Sequence, residues 1–456
     1  MSAYLYYMMV QKSSQWVKLC AGCNLCFLYA IVLPLKNRIK SLKVMRMPTI
    51  DEQVEVLMSG AEYGDPETKE SMRKELRERL VEAEKQGRPL RVYCGYDPRT
   101  ADLHLGHTIT MRKLRQFQEF GHDVTFLVGT FTSLIGDPSD KEKARDQLTA
   151  EQVDENARTY AEQSFKILDR DLTRVRRNDE WLSTLDFADI IRLASNFTVQ
   201  QFLVRENFAK RIDGGQAIYL HEFFYALMQA YDAVAQETDV QVGGQDQLFN
   251  ILVAGRKLQQ GLGQKPQIAI IMGELLPGTD GTIKMSKSLG NHIPLLATPN
   301  DMFGKVMSVP DKAISIYHKL ILGWSATQLK EMEDGLAADT LHPNEVKMRL
   351  AQEIVSIFHS PEDSEAAQKH WDEVYRSGGL PSDIPEETLT EQEKIVDILR
   401  RLKMVESGAE AKRLIQQKGI RMNEALVEDI MATITPEMLP VVLQVGKRKF
   451  VRLVTA

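Results

Sequence analysis

Two short segments hold residue types that could act together on a phosphate. The first is His104-Leu105-Gly106-His107, two imidazoles three positions apart around a glycine, at the junction of an apolar run and a helical pattern. The start of a helix presents free N–H groups and a partial positive charge, which favours a phosphate. Glycine lets a ligand lie directly against the backbone, and imidazole N–H groups can donate to oxygens on which charge builds. Zinc binding would need further Cys, His or carboxylate ligands at defined spacing, and the body of the chain offers no such cluster. The second segment is Lys284-Met285-Ser286-Lys287-Ser288, about 180 residues later, with two lysines three apart in a loop rich in Gly and Ser. Lysine is a flexible point charge suited to following a departing pyrophosphate. Taken singly, each segment also reads as ordinary structure, a histidine pair at a helix start and a solvated loop.

A third group is Tyr225, Gln229 and Asp232, flanked by apolar Phe224, Leu227 and Met228. At spacings i, i+4 and i+7 on a helix, all three project from one face. A plain polar surface would not place Tyr, Gln and Asp in one stripe within an apolar run.

The elements that position these groups alternate strand and helix. Leu90–Tyr96 reads as a short buried strand bounded by Asp97-Pro98. Gly106–His122 reads as a helix with Ile109, Leu114 and Phe117 on one side and Gly121 as its stop, and Asp123–Thr130 as a second strand. Strand, helix and strand in about forty residues make a βαβ unit and imply a parallel sheet. Residues 150–212 read as mainly helical, opening on a capping box at Thr149 and Gln152. The sheet resumes at "DVQVGG" and "PQIAIIMG", residues 300–375 are helical, and Ser377–Glu387 has a linker's Gly, Pro and Ser content. The mixed-sign run Glu67–Gln86 reads as a solvated helix face.

The chain has 456 residues, enough for two or three domains, and a soluble composition with 43% hydrophobic and 26% charged residues. Its first fifty residues stand apart, with seven basic and no acidic side chains; the remainder of the chain carries 50 basic against 63 acidic residues. Leu19–Leu35 is apolar but 17 residues long, interrupted by Asn24 and Pro34, and flanked by basic residues on both sides. It is at the short limit for a membrane span, and no small-residue cleavage site follows it as a signal peptide requires. Cys20, Cys23 and Cys26 lie in this run without a fourth ligand nearby. The reading preferred for residues 1–46 is a start placed too far upstream, with Met45 and Met47 as restarts; a targeting or anchoring segment is the alternative. Only Cys94 lies in the body, which suits a reducing cytoplasm. From Arg400 to Ala456 there are 11 basic against 6 acidic residues, the footprint expected of a nucleic-acid contact on an otherwise acidic chain, with a merely solvated surface as the alternative on charge alone.

His-x-Gly-His upstream of Lys-Met-Ser-Lys-Ser, with a βαβ unit between, resembles the class I aminoacyl-tRNA synthetases. "YALMQAYD" and "VGGQDQ" narrow the likeness to the bacterial-type tyrosyl-tRNA synthetases, from about Thr49 to the C-terminus. The resemblance implies a Rossmann-like α/β catalytic domain over 47–298 with the helical insertion, an α-helical domain over 299–376, a linker over 377–390, and over 391–456 a small α+β RNA-binding domain like one in a ribosomal protein. It implies tyrosine, ATP with Mg²⁺ and tRNA(Tyr) as substrates, no protein-bound metal, a homodimer, a cytoplasmic location and no stable membrane partner. His104, His107, Lys284 and Lys287 would be catalytic. Gly95, Asp97, Gly106, Thr110, Gly244, Asp246 and Ser288 would join them around ATP, with Lys141 and Arg145 towards the pyrophosphate. Tyr93, Asp137, Tyr225, Gln229, Asp232 and Gln247 would take tyrosine, Tyr93 and Asp232 at its phenol. Lys412, Arg413, Lys418 and Arg421 would face RNA. Two positions depart from the family pattern: Asp140 stands where glycine is common, and Arg99 replaces a small hydroxyl residue in Asp-Pro-Thr. Arg99 could add a phosphate cation, or point outward while Thr100 supplies the hydroxyl, the latter slightly favoured. Tryptophanyl-tRNA synthetase and a non-catalytic RNA-binding protein on a synthetase scaffold are the rival readings.

Overall fold

The computed structural model describes residues 48–139, 148–375 and 384–455, except 403, 406, 424, 447 and 448. The extension 1–46 and the segment carrying Asp140, Lys141 and Arg145 lie outside the described residues. The chain divides into two compact units, 1–53 and 54–456, and the elements below belong to the second.

Helix α1 (Pro66–Gln86) is delimited by its caps: the Asp65 carboxylate accepts from the Thr68 N–H, and Gly87 closes the helix at φ 62°. Beyond it come five parallel strands, namely β1 (Arg91–Tyr96), β2 (Asp123–Val128), β3 (Thr173–Arg177), β4 (Val240–Gly244) and β5 (Ile268–Met272). Their order is β3-β2-β1-β4-β5. Runs such as "VYC" and "IAII" are apolar at successive positions because both faces of the sheet are covered. The order reverses beside β1, so a crevice opens beyond the C-terminal ends of β1 and β4, where such sheets bind ligands. Helix α2 (Thr108–Glu119) packs on β1, β2 and β4, burying Ile109, Leu114 and Phe117. Helix α3 (Leu220–Ala235) carries the Tyr-Gln-Asp stripe.

At the opposite end of the sheet, buried Asp239 just before β4 accepts from Arg79 Nη1 (3.0 Å), Arg88 Nη1 (2.7 Å) and Nη2 (3.1 Å), and the Arg91 N–H (2.9 Å). One carboxylate thus ties α1 and the start of β1 to the sheet.

Residues 150–212 are mainly helical as expected, and strand β3 is the exception within them. "TRVRR" has one apolar residue in five and pairs with β2 on one side only. An edge strand with charged side chains, a standard guard against edge-to-edge pairing, leaves no apolar signature to read. The Thr149 capping box is present as expected.

Helices Pro299–Ser308, Pro343–Phe358 and Pro361–Tyr375 pack on one another. In the C-terminal segment β6 (Glu386–Thr388), β8 (Ile420–Met422), β9 (Ala425–Leu426), β11 (Val441–Val445) and β12 (Lys449–Val454) form a sheet of order β6-β12-β11-β8-β9, while β7 (Glu393–Lys394) pairs with β10 (Thr433–Ile434). Helices Ile395–Arg401 and Gly408–Gln416 supply Ile398, Leu399 and Ile415 to a core shared with Leu443 and Leu453. Strand β6 begins inside the stretch expected as linker and runs parallel to β12.

Candidate active site

The histidine and lysine segments meet at the crevice through backbone pairing. The Leu105 N–H donates to the Ile293 carbonyl (3.0 Å) and the Leu295 N–H to the Leu103 carbonyl (2.9 Å). Residues 293–295 lie just beyond the lysine loop, so a short antiparallel contact brings the two segments together. His104 is extended, Leu105–His107 form a single 3-10 turn, and α2 begins only at Thr108. Gly106 and His107 therefore precede the helix that the sequence pattern starts at Gly106. The imidazole rings lie against each other, tilted by 37°, with centroids 3.8 Å apart. A side chain at Gly106 would meet the His104 ring at 3.1 Å and Met285 at 3.7 Å, so glycine is what lets ring and loop close over this turn.

The His104 N–H donates to His107 Nδ1 (3.1 Å), which assigns the His107 proton to Nε2. Burial, with Lys284 nearby, lowers the His107 pKa to about 4, and burial with His107 and His292 holds His104 well below its usual range. At neutral pH both rings act as uncharged donors, and positive charge at the crevice comes from lysine. His104 Nδ1 is buried without a protein partner.

The lysine loop is folded by its own bonds. The Met285 N–H donates to the Leu276 carbonyl (2.9 Å), the Ser286 N–H to Asn291 Oδ1 (2.8 Å), and Met285 is buried as an anchor. Lys284 Nζ lies 2.9 Å from Asp246 Oδ2, beyond the end of β4, and Lys287 Nζ 3.1 Å from Asp102 Oδ2. Gly244 lets the chain turn close to the Asp246 carboxylate, 2.8 Å from where a Cβ would stand. Thr110 bonds the Tyr96 hydroxyl (2.8 Å) and the His107 carbonyl (3.0 Å), bracing the turn, and Gly95 lies exposed near the end of β1.

Beside this polar crevice lies a buried cluster of polar side chains from β1 and α3. Asp232 on α3 accepts from Trp181 Nε1 (2.8 Å) and Asn178 Nδ2 (3.3 Å), and burial pushes its carboxyl well above the usual range. Tyr93 on β1 is buried, with its hydroxyl 3.4 Å from the Gln229 carbonyl and its pKa raised by burial and by Asp232. The Gln229 side-chain oxygen is buried without a donor. The Tyr225 hydroxyl donates to Asp97 (3.1 Å), which also accepts from Thr132 (2.8 Å). Asp137 accepts from the Ser139 N–H (2.8 Å) and from Gln247. Buried tyrosines and a carboxylate at Tyr93, Tyr225 and Asp232, the Gln229 amide oxygen without a donor among the described residues, a second carboxylate at Asp137 and an adjoining phosphate-type crevice suit an amino acid presented to a nucleotide.

The family described as class I tRNA synthetases (W and Y) matches residues 85–376. The tyrosine–tRNA ligase of Carboxydothermus hydrogenoformans is 43% identical over 418 residues, covering 90% of this chain and 99% of that protein. That of Thermotoga maritima is 46% identical over 376 residues, 82% of this chain and 93% of that protein. This chain belongs to the tyrosyl-tRNA synthetase family of class I synthetases. In fold it is similar to a tyrosyl-tRNA synthetase from Archaeoglobus fulgidus solved with L-tyrosine, with TM-score 0.55 and 23% identity over 70% of this chain and all of that one. A truncated mitochondrial tyrosyl-tRNA synthetase of Aspergillus nidulans gives TM-score 0.55 at 21% identity, over 73% of this chain and 95% of that one.

Several positions in this synthetase carry no signal in the sequence. Asn178 and Trp181, which hold Asp232, come directly after the charged edge strand β3 and have no telling spacing. Arg99 Nη1 donates to the Ser133 carbonyl (2.8 Å), tying the loop after β1 to the loop after β2. Thr100 bonds the Asp102 carbonyl only weakly (3.5 Å). Asp97, grouped by resemblance with ATP, lies at the joint between the two halves through its bond to Tyr225. Ser288 is described in its backbone only. Lys412, Arg413, Lys418 and Arg421 are all exposed in one run of the C-terminal segment. Among the described residues no cluster of three or more His, Cys, Asp or Glu is arranged to hold a metal, and no helix is long and apolar enough to cross a membrane.

Proposed function

We propose that this chain joins L-tyrosine to tRNA(Tyr) in two steps at the β1–β4 crevice. A tyrosine carboxylate oxygen attacks the α-phosphorus of Mg²⁺-ATP, the bond to the β-phosphate breaks, and pyrophosphate leaves. A hydroxyl of the terminal ribose of tRNA then attacks the adenylate carbonyl, forming the ester and releasing AMP. The carboxylate is already a nucleophile, so the first step needs positioning and charge neutralisation rather than a general base.

The observation that carries this reading is the pairing of 103–105 with 293–295, which joins the histidine segment to the stretch just beyond the lysine loop, with Lys284 near enough to act on both imidazoles. The His107 Nε2–H and His104 donate to phosphate oxygens as charge builds, and Lys284 and Lys287 exchange Asp246 and Asp102 for the leaving pyrophosphate. Gly244 and Asp246 take the ribose. Tyr93 and Asp232 read the phenol hydroxyl, while Asp137, Tyr225, Gln229 and Gln247 hold the α-ammonium end. A buried amide oxygen without a donor costs about 1–3 kcal/mol, and an ammonium N–H at Gln229 Oε1 would recover it.

The architecture supports a catalytic domain over 47–298, a helical domain over 299–376 and an RNA-binding domain over 391–456, with Lys412, Arg413, Lys418 and Arg421 facing tRNA. Phe187, Ile191, Val199, Val204, Tyr219 and Leu220 are all more than half exposed within the insertion and the start of α3. That much apolar surface suits a second copy of this chain, giving a homodimer that works in the cytoplasm. The reading is tested by charging tRNA with labelled tyrosine: acid-precipitable, base-labile tyrosyl-tRNA is expected, and none would form if the chain only bound RNA.

A further inference from the structure

Arg205, just before the helix Glu206–Asp213, is a cation with 7% of its surface exposed and no direct ion pair among the described residues. Its guanidinium lies 4.8 Å from the Phe249 ring centroid and 5.2 Å from that of Phe208. Nη2 donates to Ser139 Oγ (2.6 Å), while Nη1 is buried without a partner. Ser139 Oγ also accepts from Asn250 Nδ2 (3.2 Å), so its own proton is directed to Asp137 Oδ1, 2.5 Å away. Two donors onto one hydroxyl oxygen polarise the O–H and strengthen the bond it donates.

We infer that Arg205 is a positioning residue for the amino-acid half of the site, holding Asp137 through Ser139 as an aligned carboxylate ready to take the substrate's α-ammonium. The inference rests on the tyrosine reading above and adds a residue to it. Burying a positive charge is costly unless something gains from it, and a neutral donor would serve if Ser139 only needed tethering. Asp137 is the group that gains. Its pKa is raised by burial and then by Asp246, and the Ser139 and Gln247 bonds oppose that rise. Among the described residues, the charged and titratable groups that face this cluster are Asp246 with its partner Lys284, Tyr225 on α3, and Arg205 itself. Of these, Arg205 is the cation joined to Asp137 by a hydrogen-bonded path.

The test measures tyrosine-dependent ATP–pyrophosphate exchange against pH in wild type, Arg205→Gln, Arg205→Lys and Ser139→Ala. Removing the charge should raise the Asp137 pKa, so in Arg205→Gln the acid limb of kcat/KM for tyrosine moves up by about one pH unit. KM for tyrosine at neutral pH should rise about tenfold, with kcat at saturating tyrosine within about threefold. Arg205→Lys should return the limb most of the way, and Ser139→Ala should move it in the same direction as Arg205→Gln. An unmoved limb in Arg205→Gln, or a limb displaced equally in Arg205→Lys and Arg205→Gln, would overturn the role. Should Arg205→Gln fail to fold by circular dichroism, Ser139→Ala decides, since a wild-type limb there breaks the proposed path. Wild type that ignores tyrosine would instead remove the reading beneath it, an outcome read in the same experiment.

Discussion

Lys287→Ala separates the roles assigned to the lysine loop. In the resting structure Lys287 Nζ is 3.1 Å from Asp102 Oδ2, with the two side chains 37% and 31% exposed. An ion pair in that setting is worth about 0–1 kcal/mol, so releasing it for a phosphate costs little. A hydrogen bond from an ammonium to a departing pyrophosphate oxygen is worth about 1.5–3 kcal/mol. The net lost from the transition state is therefore about 0.5–3 kcal/mol, or roughly 2- to 150-fold in the rate of adenylate formation. The assay is single-turnover formation of enzyme-bound adenylate at saturating tyrosine and ATP, with tyrosine affinity measured separately by equilibrium titration. Tyrosine affinity and the unfolding midpoint should change little, because the lost pair is half-exposed and remote from the phenol pocket. An unchanged single-turnover rate would remove Lys287 from the mechanism. A loss of tyrosine affinity as large as the rate loss would show that the loop acts on the pocket as a whole.

Three further outcomes are expected. Gly106→Ala should slow adenylate formation roughly ten- to hundredfold while the protein stays folded, because the new Cβ displaces the His104 ring; wild-type rates would deny that ring its role. Asp239→Asn should destabilise the fold by about 3–5 kcal/mol at neutral pH by stranding Arg79 and Arg88, measured by denaturant unfolding. Burial raises the Asp239 pKa, but Arg88 and the Arg91 N–H outweigh it and hold the carboxyl below its usual value. Its contribution is therefore full above about pH 4 and lost as pH falls through the depressed folded value; a variant with the same acid unfolding profile as wild type would contradict this. Val204→Arg with Leu220→Arg should shift sedimentation from dimer to monomer, and an unchanged dimer would place the interface elsewhere.

The parts of the site visible in the sequence are those whose chemistry is local. The Tyr225-Gln229-Asp232 stripe follows from helical period alone, and the strand–helix–strand run from Leu90 to Thr130 from apolar patterning. The first turn after His104 is not legible in the same way, because helix and 3-10 starts share the same residue types; only the pairing with 293–295, set by contacts far apart in sequence, fixes it. Strand β3 is hidden by the arginines that guard a sheet edge. Asn178 and Trp181 are hidden with it, and Arg205 gives no sign of its role because a buried arginine and a surface one look alike in sequence. Arg99 shows the same limit: family pattern marks it as unusual, and only the fold supplies Ser133 as its partner.

Exchange of labelled pyrophosphate into ATP, run with tyrosine, tryptophan and phenylalanine in turn, tests most directly whether the β1–β4 crevice activates tyrosine with ATP. Exchange with tyrosine, slowed in Lys287→Ala within the range worked out above, is the expected result. Exchange with tryptophan alone, or with none of the three, would contradict the claim.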